Sequence, residues 1–209
     1  MADLNYNIRV VMFDLGGVLL RTEDPGPRVE LGRRFGLSRE EIEKLVFGSE
    51  VSLKAELGQA EPGEVWTHAQ KKLRIANDDL AAFQDAFWAG DRLDEDLLAF
   101  VKSLQGKYRT VLLSNAWMDM RKNVAHRFGS LDAFEMQVFS AEVGLRKPDP
   151  RIFQHVLDLL GADPEEIVFV DDFSENILAA RKLGFRTIQF LKARQAKNEL
   201  EALLGLNGI

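Results

Sequence analysis

The chain has 209 residues, 46% hydrophobic and 29% charged, with a formal net charge of −6. These proportions exclude disorder and fibrous repetition and point to one sizeable core, while the absence of cysteine excludes disulfides, a thiolate nucleophile and cysteine-ligated metal. The acidic balance opposes binding to a phosphate backbone, and the one basic tract, Lys71, Lys72 and Arg74, is short, so no nucleic-acid partner is expected.

Met1 to Arg9 lacks the basic-then-apolar layout of a secretory leader. No uncharged apolar run approaches the roughly 20 residues that cross a bilayer, so no membrane partner is expected and a reducing cytoplasm is the expected location. Ile8 to Phe13 is the first of five short runs rich in Val, Ile, Leu and Phe; the others are Thr110 to Leu113, Met136 to Phe139, Ile167 to Val170 and Thr187 to Phe190. They read as buried strands. Between the later runs lie stretches of helical spacing: Leu97, Phe100, Val101, Leu104; Ile152, Val156, Leu159, Leu160; Ile177, Ala180, Arg181, Leu183. Strand and helix thus alternate, which predicts a parallel α/β sheet, doubly wound with helices on both faces.

From about Arg21 to Arg92 the pattern is helical with no convincing strand. Leu31, Phe35 and Leu37 mark one expected helix, Ile42, Leu45 and Val46 the next, and Val65 to Ile75 and Leu80 to Trp88 two more. Pro25, Gly26, Pro27 and Gly90, Asp91 punctuate its ends, so the interval is expected to be a small all-α insertion in the α/β core. The expected boundaries are 21–92 for the insertion and 1–20 with 93–209 for the core. Lys192 to Ile209 reads as a final amphipathic helix with Leu200, Leu203 and Leu204 on one side.

In an open parallel sheet, ligands bind beyond the carboxyl ends of the strands. Here the first strand runs into Asp14, Leu15, Gly16 and Gly17, and the second ends at Ser114 and Asn115. Arg146, Lys147 and Pro148 follow the third, and the fourth ends at Asp171 and Asp172. Taken singly, Asp14, Ser114, Asn115, Asp171 and Asp172 also fit a turn or a helix cap, and Lys147 an exposed loop cation. A carboxylate, a hydroxyl, a cation and an acidic pair at four strand ends in one crevice are harder to assign to capping alone.

The segments VVMFDLGGVL, VLLSNA, GLRKPDPRIF and VFVDDFSENI resemble, in order and spacing, the four motifs of the haloacid dehalogenase superfamily. The resemblance spans Ile8 to Phe190, implies a Rossmann-like core, and makes 21–92 the helical cap that many members insert after the first motif. It is nearest to phosphatases related to sugar-phosphate phosphatases and to the amino-terminal domain of soluble epoxide hydrolases. It implies that Asp14 is the nucleophile of a phosphoester hydrolase, forming an aspartyl-phosphate. Ser114, with Asn115 and neighbouring backbone N–H groups, would bind the phosphoryl group, and Lys147 would bind both that group and Asp14. Magnesium would be held by Asp14, the carbonyl of Gly16 and Asp172, with Asn176 in the place of a supporting acid. The implied partner is a small phosphorylated metabolite. Independently of the resemblance, Asp14, Asp171 and Asp172 brought together would raise one another's pKa unless a divalent cation sat among them.

One position departs from the pattern. Most phosphatases of this superfamily carry a second Asp two residues after the nucleophile as general acid and base, and here that position is Gly16. General acid–base catalysis contributes typically about 10² to 10⁴ in rate, so the loss predicts a slow enzyme, one with its acid elsewhere (Glu23 and Asp24 are the nearest carboxylates), or a phospho-ligand-binding protein. Haloacid dehalogenation is the other alternative, because dehalogenases also lack the second Asp; they carry uncharged residues, however, where this chain has Asp171 and Asp172. His68, His126 and His155 show no metal-ligand spacing, and no Walker-type or Gly-x-Ser-x-Gly motif is present. Trp117 is expected either at the crevice mouth or in a core, and Trp66 and Trp88 in the core of the insertion.

Overall fold

The computed structural model describes residues 7–206, so the reading of the start up to Tyr6 and of the last three residues of the tail lies outside the described residues. β1 (Val10–Phe13) and β2 (Leu20–Thr22) lead into five helices: α1 (Gly26–Arg34), α2 (Arg39–Phe47), α3 (Glu50–Ala55), α4 (Pro62–Leu73) and α5 (Leu80–Trp88). β3 (Asp91–Leu93) and α6 (Glu95–Leu104) follow. The chain continues through β4 (Arg109–Ser114), α7 (Met120–Arg127), β5 (Met136–Phe139), α8 (Ser140–Val143) and α9 (Pro150–Leu160). It ends with β6 (Ile167–Asp171), α10 (Ser174–Lys182), β7 (Arg186–Gln189) and α11 (Ala193–Leu203).

Five strands form one parallel sheet in the order β5-β4-β1-β6-β7. Every residue of β1 is buried because both faces of the sheet are covered. Val11 and Phe13 face the layer that includes Leu97, Val101 and Leu200, while Val10 and Met12 face Ile152, Val156, Ile177 and Ala180. The doubly wound α/β architecture read from the sequence is therefore present. Phe13 is in register with Leu112 and with Val170, which puts Asp14 level with Leu113 and Asp171 and leaves Ser114 one residue beyond. The chain runs outward from β1 through β4 to β5, then crosses back to β6 on the other side of β1, so the order reverses beside the end of β1.

The interval expected to be purely helical differs in three respects. Most of β2 and β3 lies within it, as an antiparallel pair with Leu20 opposite Leu93 and Thr22 opposite Asp91. Three-residue strands containing Arg21 and Arg92 leave no periodic signature. Helix α1 stops at Arg34, short of Phe35 and Leu37; Gly36 takes φ +69° and turns the chain, yet both side chains still pack on the helical cluster. Helix α3, six residues long, is too short to show a period; the Ser49 hydroxyl caps it by accepting from the Ser52 N–H.

These helices share a core of their own, which includes Leu31, Ile42, Val46, Val65, Trp66, Phe83 and Phe87. Trp117, from the loop after β4, is buried in that core: its ring centroid is 5.8 Å from that of Trp66, and its Nε1 donates to Ser52 Oγ at 3.1 Å. A buried aromatic ring hides about 150–250 Å², worth roughly 4 to 6 kcal/mol before the entropy of ordering, so Trp117 fastens the helical layer to the sheet. At the base of the layer the buried Arg28 donates to Phe87 O at 2.9 Å, Thr22 Oγ1 and Glu43 Oε1 at 2.8 Å, and Asp91 Oδ2 at 2.5 Å. The Arg28 guanidinium thereby joins α1, α2 and α5 to the β2–β3 pair. Gly90 is required beside it, because a Cβ there would lie 1.9 Å from Asp24 O.

Candidate functional site

The strand register delivers Asp14 and Asp171 side by side at the carboxyl edge, with Asp172 one residue on. Oxygens of the three carboxylates lie within 4.8 Å of one another. Lys147, only 1% exposed, enters from the loop between α8 and α9 and places Nζ 2.8 Å from Asp14 Oδ1 and 2.7 Å from Asp171 Oδ2. Asp14 Oδ1 also accepts the Leu15 N–H at 2.7 Å.

The two members of the acidic pair differ sharply. Asp171 is fully buried and saturated: Asn176 Nδ2 lies 3.0 Å from both of its oxygens, and the Phe173 N–H donates to Oδ1 at 2.8 Å, in addition to Lys147. Asp172 Oδ1, by contrast, is buried with no hydrogen-bond partner among the described residues. An unpartnered buried carboxylate oxygen costs several kcal/mol unless it is protonated or meets a cation. Burial pushes the Asp14 carboxyl up to about 7, with Asp171 and Asp172 adding to the rise and Lys147 opposing it. Asp172 is pushed up to about 6 by burial and by the charge of Asp171. Burial works against the Lys147 ammonium too, but Asp14 and Asp171 outweigh it and raise its pKa.

One ammonium among three carboxylates leaves the cluster short of positive charge, and the oxygen donor set with its orphaned Asp172 Oδ1 fits a hard divalent cation. Asp14 and Asp172 are the side chains free to hold one, since Asp171 is spent on Lys147 and Asn176. The Asp172 carboxylate lies against the backbone of Gly17, which has φ +75°.

The neighbouring residues line the same edge. Ser114 is 3% exposed, and among the described residues its hydroxyl makes only a long contact of 3.4 Å to Asn115 O. The loop after it is fixed by Ser140, whose Oγ accepts from the Ala116 N–H at 2.9 Å and donates to Ala116 O at 3.2 Å. Asn115 turns its side chain to Lys147: Nδ2 donates to Lys147 O and Oδ1 accepts the Lys147 N–H, both at 2.8 Å. Gly16 has no atom within 4 Å of where a Cβ would stand. Glu23 is exposed and paired with Arg21, and the exposed Asp24 accepts the Gly26 N–H, so both are engaged at the hinge.

Two further features stand at this edge without having been legible in the sequence: Ser140, and the ion pair of 2.7 Å between Arg146 and Glu56, which joins the Lys147 loop to the C-terminal end of α3. Neither carries a local signal, because each acts across a tertiary contact with a distant segment.

A family model described as haloacid dehalogenase-like hydrolase matches residues 8–184. A bifunctional epoxide hydrolase 2 from Rattus norvegicus is 34% identical over 122 residues, 56% of this chain and 22% of that protein. The chain spans well under half the length of the first curated relatives it matches. A sesquiterpene phosphatase from Aspergillus oryzae is 25% identical over 199 residues, 94% of this chain and 97% of that one. Among solved structures, an HAD family enzyme from Bacteroides thetaiotaomicron, in complex with magnesium and inorganic phosphate, is 27% identical with a TM-score of 0.71, covering 87% of this chain and 93% of the other. With its parallel sheet, its acid–lysine cluster and a match across residues 8–184, the chain belongs to the haloacid dehalogenase-like hydrolases.

Proposed function

We propose that the protein is a magnesium-dependent phosphoester hydrolase acting on a small phosphorylated metabolite, with 21–92 as a cap over the core formed by 1–20 and 93–209. The observation that carries this reading is the buried, unpartnered Oδ1 of Asp172 beside Asp14, an arrangement that calls for a cation next to a nucleophilic carboxylate. The relatives that are phosphatases, and the related structure holding magnesium and phosphate, agree with it.

Asp14, the Gly16 carbonyl and Asp172 would hold the magnesium ion. When bound, the ion supplies the positive charge that keeps Asp14 ionised beside an anionic phosphoryl group. One carboxylate oxygen of Asp14 attacks phosphorus while Lys147 and the Leu15 N–H keep the carboxylate in place; the bond from phosphorus to the ester oxygen breaks and an aspartyl-phosphate forms. Lys147 and Ser114, with the backbone N–H of Asn115, hold the phosphoryl oxygens, where charge stabilisation dominates the barrier, while the Ala116 N–H stays with Ser140. Gly16 offers no proton, so the leaving oxygen takes one from water. A water molecule then attacks phosphorus, releases phosphate and regenerates Asp14. Asn176 acts one step back, keeping Asp171 turned toward Lys147.

The second reading, a phospho-ligand-binding protein with little turnover, is favoured by the absence of a carboxylate at Gly16. A phosphate-release screen over a panel of phosphometabolites with magnesium, beside Asp14→Asn, separates the two. Magnesium-dependent release that Asp14→Asn abolishes supports the hydrolase, and tight phosphate binding with no release supports the binder.

A further inference from the structure

Lys147 has a demanding task. Its ammonium sits 2.8 Å from Asp14 Oδ1 and 2.7 Å from Asp171 Oδ2, yet it is delivered by the irregular stretch between Val143 and Pro150. Sheet hydrogen bonding does not extend to that stretch. The side chain of Asn115 supplies the missing connection. Its amide pairs with the Lys147 main chain as a neighbouring strand would, one N–H given and one accepted, each at 2.8 Å. Asn115 directly follows Ser114, the last residue of β4, whose register with β1 places Asp14. The position of the sheet is thereby carried into the loop.

We infer that Asn115 is a positioning residue, a clamp that fixes the Lys147 backbone against the sheet so that the ammonium reaches Asp14, rather than a ligand of the substrate. This assignment rests on the hydrolase reading for its kinetic consequence only. The two hydrogen bonds use one lone pair of the Asn115 carbonyl oxygen and one of its two amide hydrogens, half of what the side chain can make, and they tie both ends of the amide to Lys147. Aspartate at this position retains the acceptor for the Lys147 N–H but gives up the donor to its carbonyl, and alanine gives up both. A displacement of about 1 Å at such a group costs about 10²-fold in rate.

The test uses the full-length chain with Asn115→Ala, Lys147→Met and the double variant. The first readout is independent of activity: the rate at which an amine-directed acylating reagent labels Lys147, followed by peptide mass spectrometry. Lys147 in the wild type is shielded, and Asn115→Ala is expected to speed its labelling by about tenfold or more while circular dichroism and melting remain those of a folded protein. The second readout is the affinity for inorganic phosphate with magnesium present, measured by calorimetry. A clamp acts through Lys147, so Asn115→Ala is expected to weaken phosphate binding in the wild type and to add nothing in the Lys147→Met background. Phosphate affinity that falls equally in both backgrounds, with labelling of Lys147 unchanged, overturns the clamp and makes Asn115 a direct ligand. A wild type that releases no phosphate from any ester would count against the hydrolase reading, while the labelling result would still decide the role of Asn115.

Discussion

Gly17 and Asp172 are packed so closely that a Cβ on the glycine would stand 2.2 Å from Asp172 Oδ2, at a backbone φ of +75°. One residue earlier, Gly16 faces open space and lies outside the left-handed region. The two adjacent glycines therefore have opposite tolerances. Gly17→Ala is expected to displace the Asp172 carboxylate and lower magnesium affinity by at least about tenfold, a change of about 1.4 kcal/mol. Calorimetric titration with magnesium checks this; unchanged affinity would mean that Asp172 does not hold the ion.

Gly16→Asp should be accommodated, because neither sterics nor backbone conformation opposes it. In the wild type, aryl phosphates, whose leaving groups need no proton, should be cleaved much better than alkyl phosphates. The new carboxylate is expected to raise alkyl-ester turnover by up to about 10², leaving aryl-ester turnover nearly unchanged. A wild type that already cleaves an alkyl phosphate at about 10 per second would show that another group supplies the proton.

Magnesium should stabilise the fold by drawing on the strained acids. At a concentration about 100 times Kd the gain is about 2.7 kcal/mol, or roughly 5 to 10 °C in Tm for a chain of this size. The pH dependence follows from the raised carboxyl groups, Asp14 at about 7 and Asp172 at about 6. Because their folded pKa values exceed the ordinary carboxylate value, the stability they contribute is complete below about pH 4 and is lost as pH rises through 6 to 7. Magnesium binds the ionised forms, so its increment in Tm should grow between about pH 5 and pH 8. Asp172→Asn should hold or raise the Tm of the metal-free protein at pH 8 while abolishing the increment. An increment independent of pH, or one that survives in Asp172→Asn, would contradict the assignment.

Arg28 is expected to be the most sensitive residue of the helical layer outside its apolar core. Arg28→Ala leaves Asp91, which is 3% exposed, without its cation, and the pKa of that carboxyl is already pushed up by burial despite Arg28. A loss of about 3 to 5 kcal/mol is expected in urea unfolding, since an uncompensated buried charge costs more than the pair contributes. A loss below about 1 kcal/mol would place the pair in the class of surface bridges.

Much of this arrangement was legible in the sequence, for reasons that particular residues make plain. Val10 to Phe13 and Ile167 to Asp171 lie in a sheet covered on both faces, which requires unbroken apolar runs, and such runs are visible without a partner. Asp14, Ser114 and Asp171 sit where those runs stop, so the crevice could be read from the strand ends. What escaped depends on contacts between distant segments. Asp171 and Asp172 are chemically identical neighbours, and only the fold shows that one is committed to Lys147 and Asn176 while the other keeps an unpartnered oxygen. The Asn115 side chain is one of many polar groups at a strand end until Lys147 is brought beside it. For Trp117 the sequence left the crevice mouth and a core open, and the core is where it lies, held by Ser52 and Trp66 of the helical layer.

Whether Asp14 carries the phosphoryl group during turnover is read most directly by an acid quench of the protein mixed with an aryl phosphate and magnesium, followed by peptide mass spectrometry. The peptide spanning Asp14 is expected to gain the mass of one phosphoryl group, hydroxylamine to remove it, and neither Asp14→Asn nor the protein in chelator to acquire it. Phosphate release with no phosphorylated Asp14 at any quench time, or release that persists in Asp14→Asn, would contradict it.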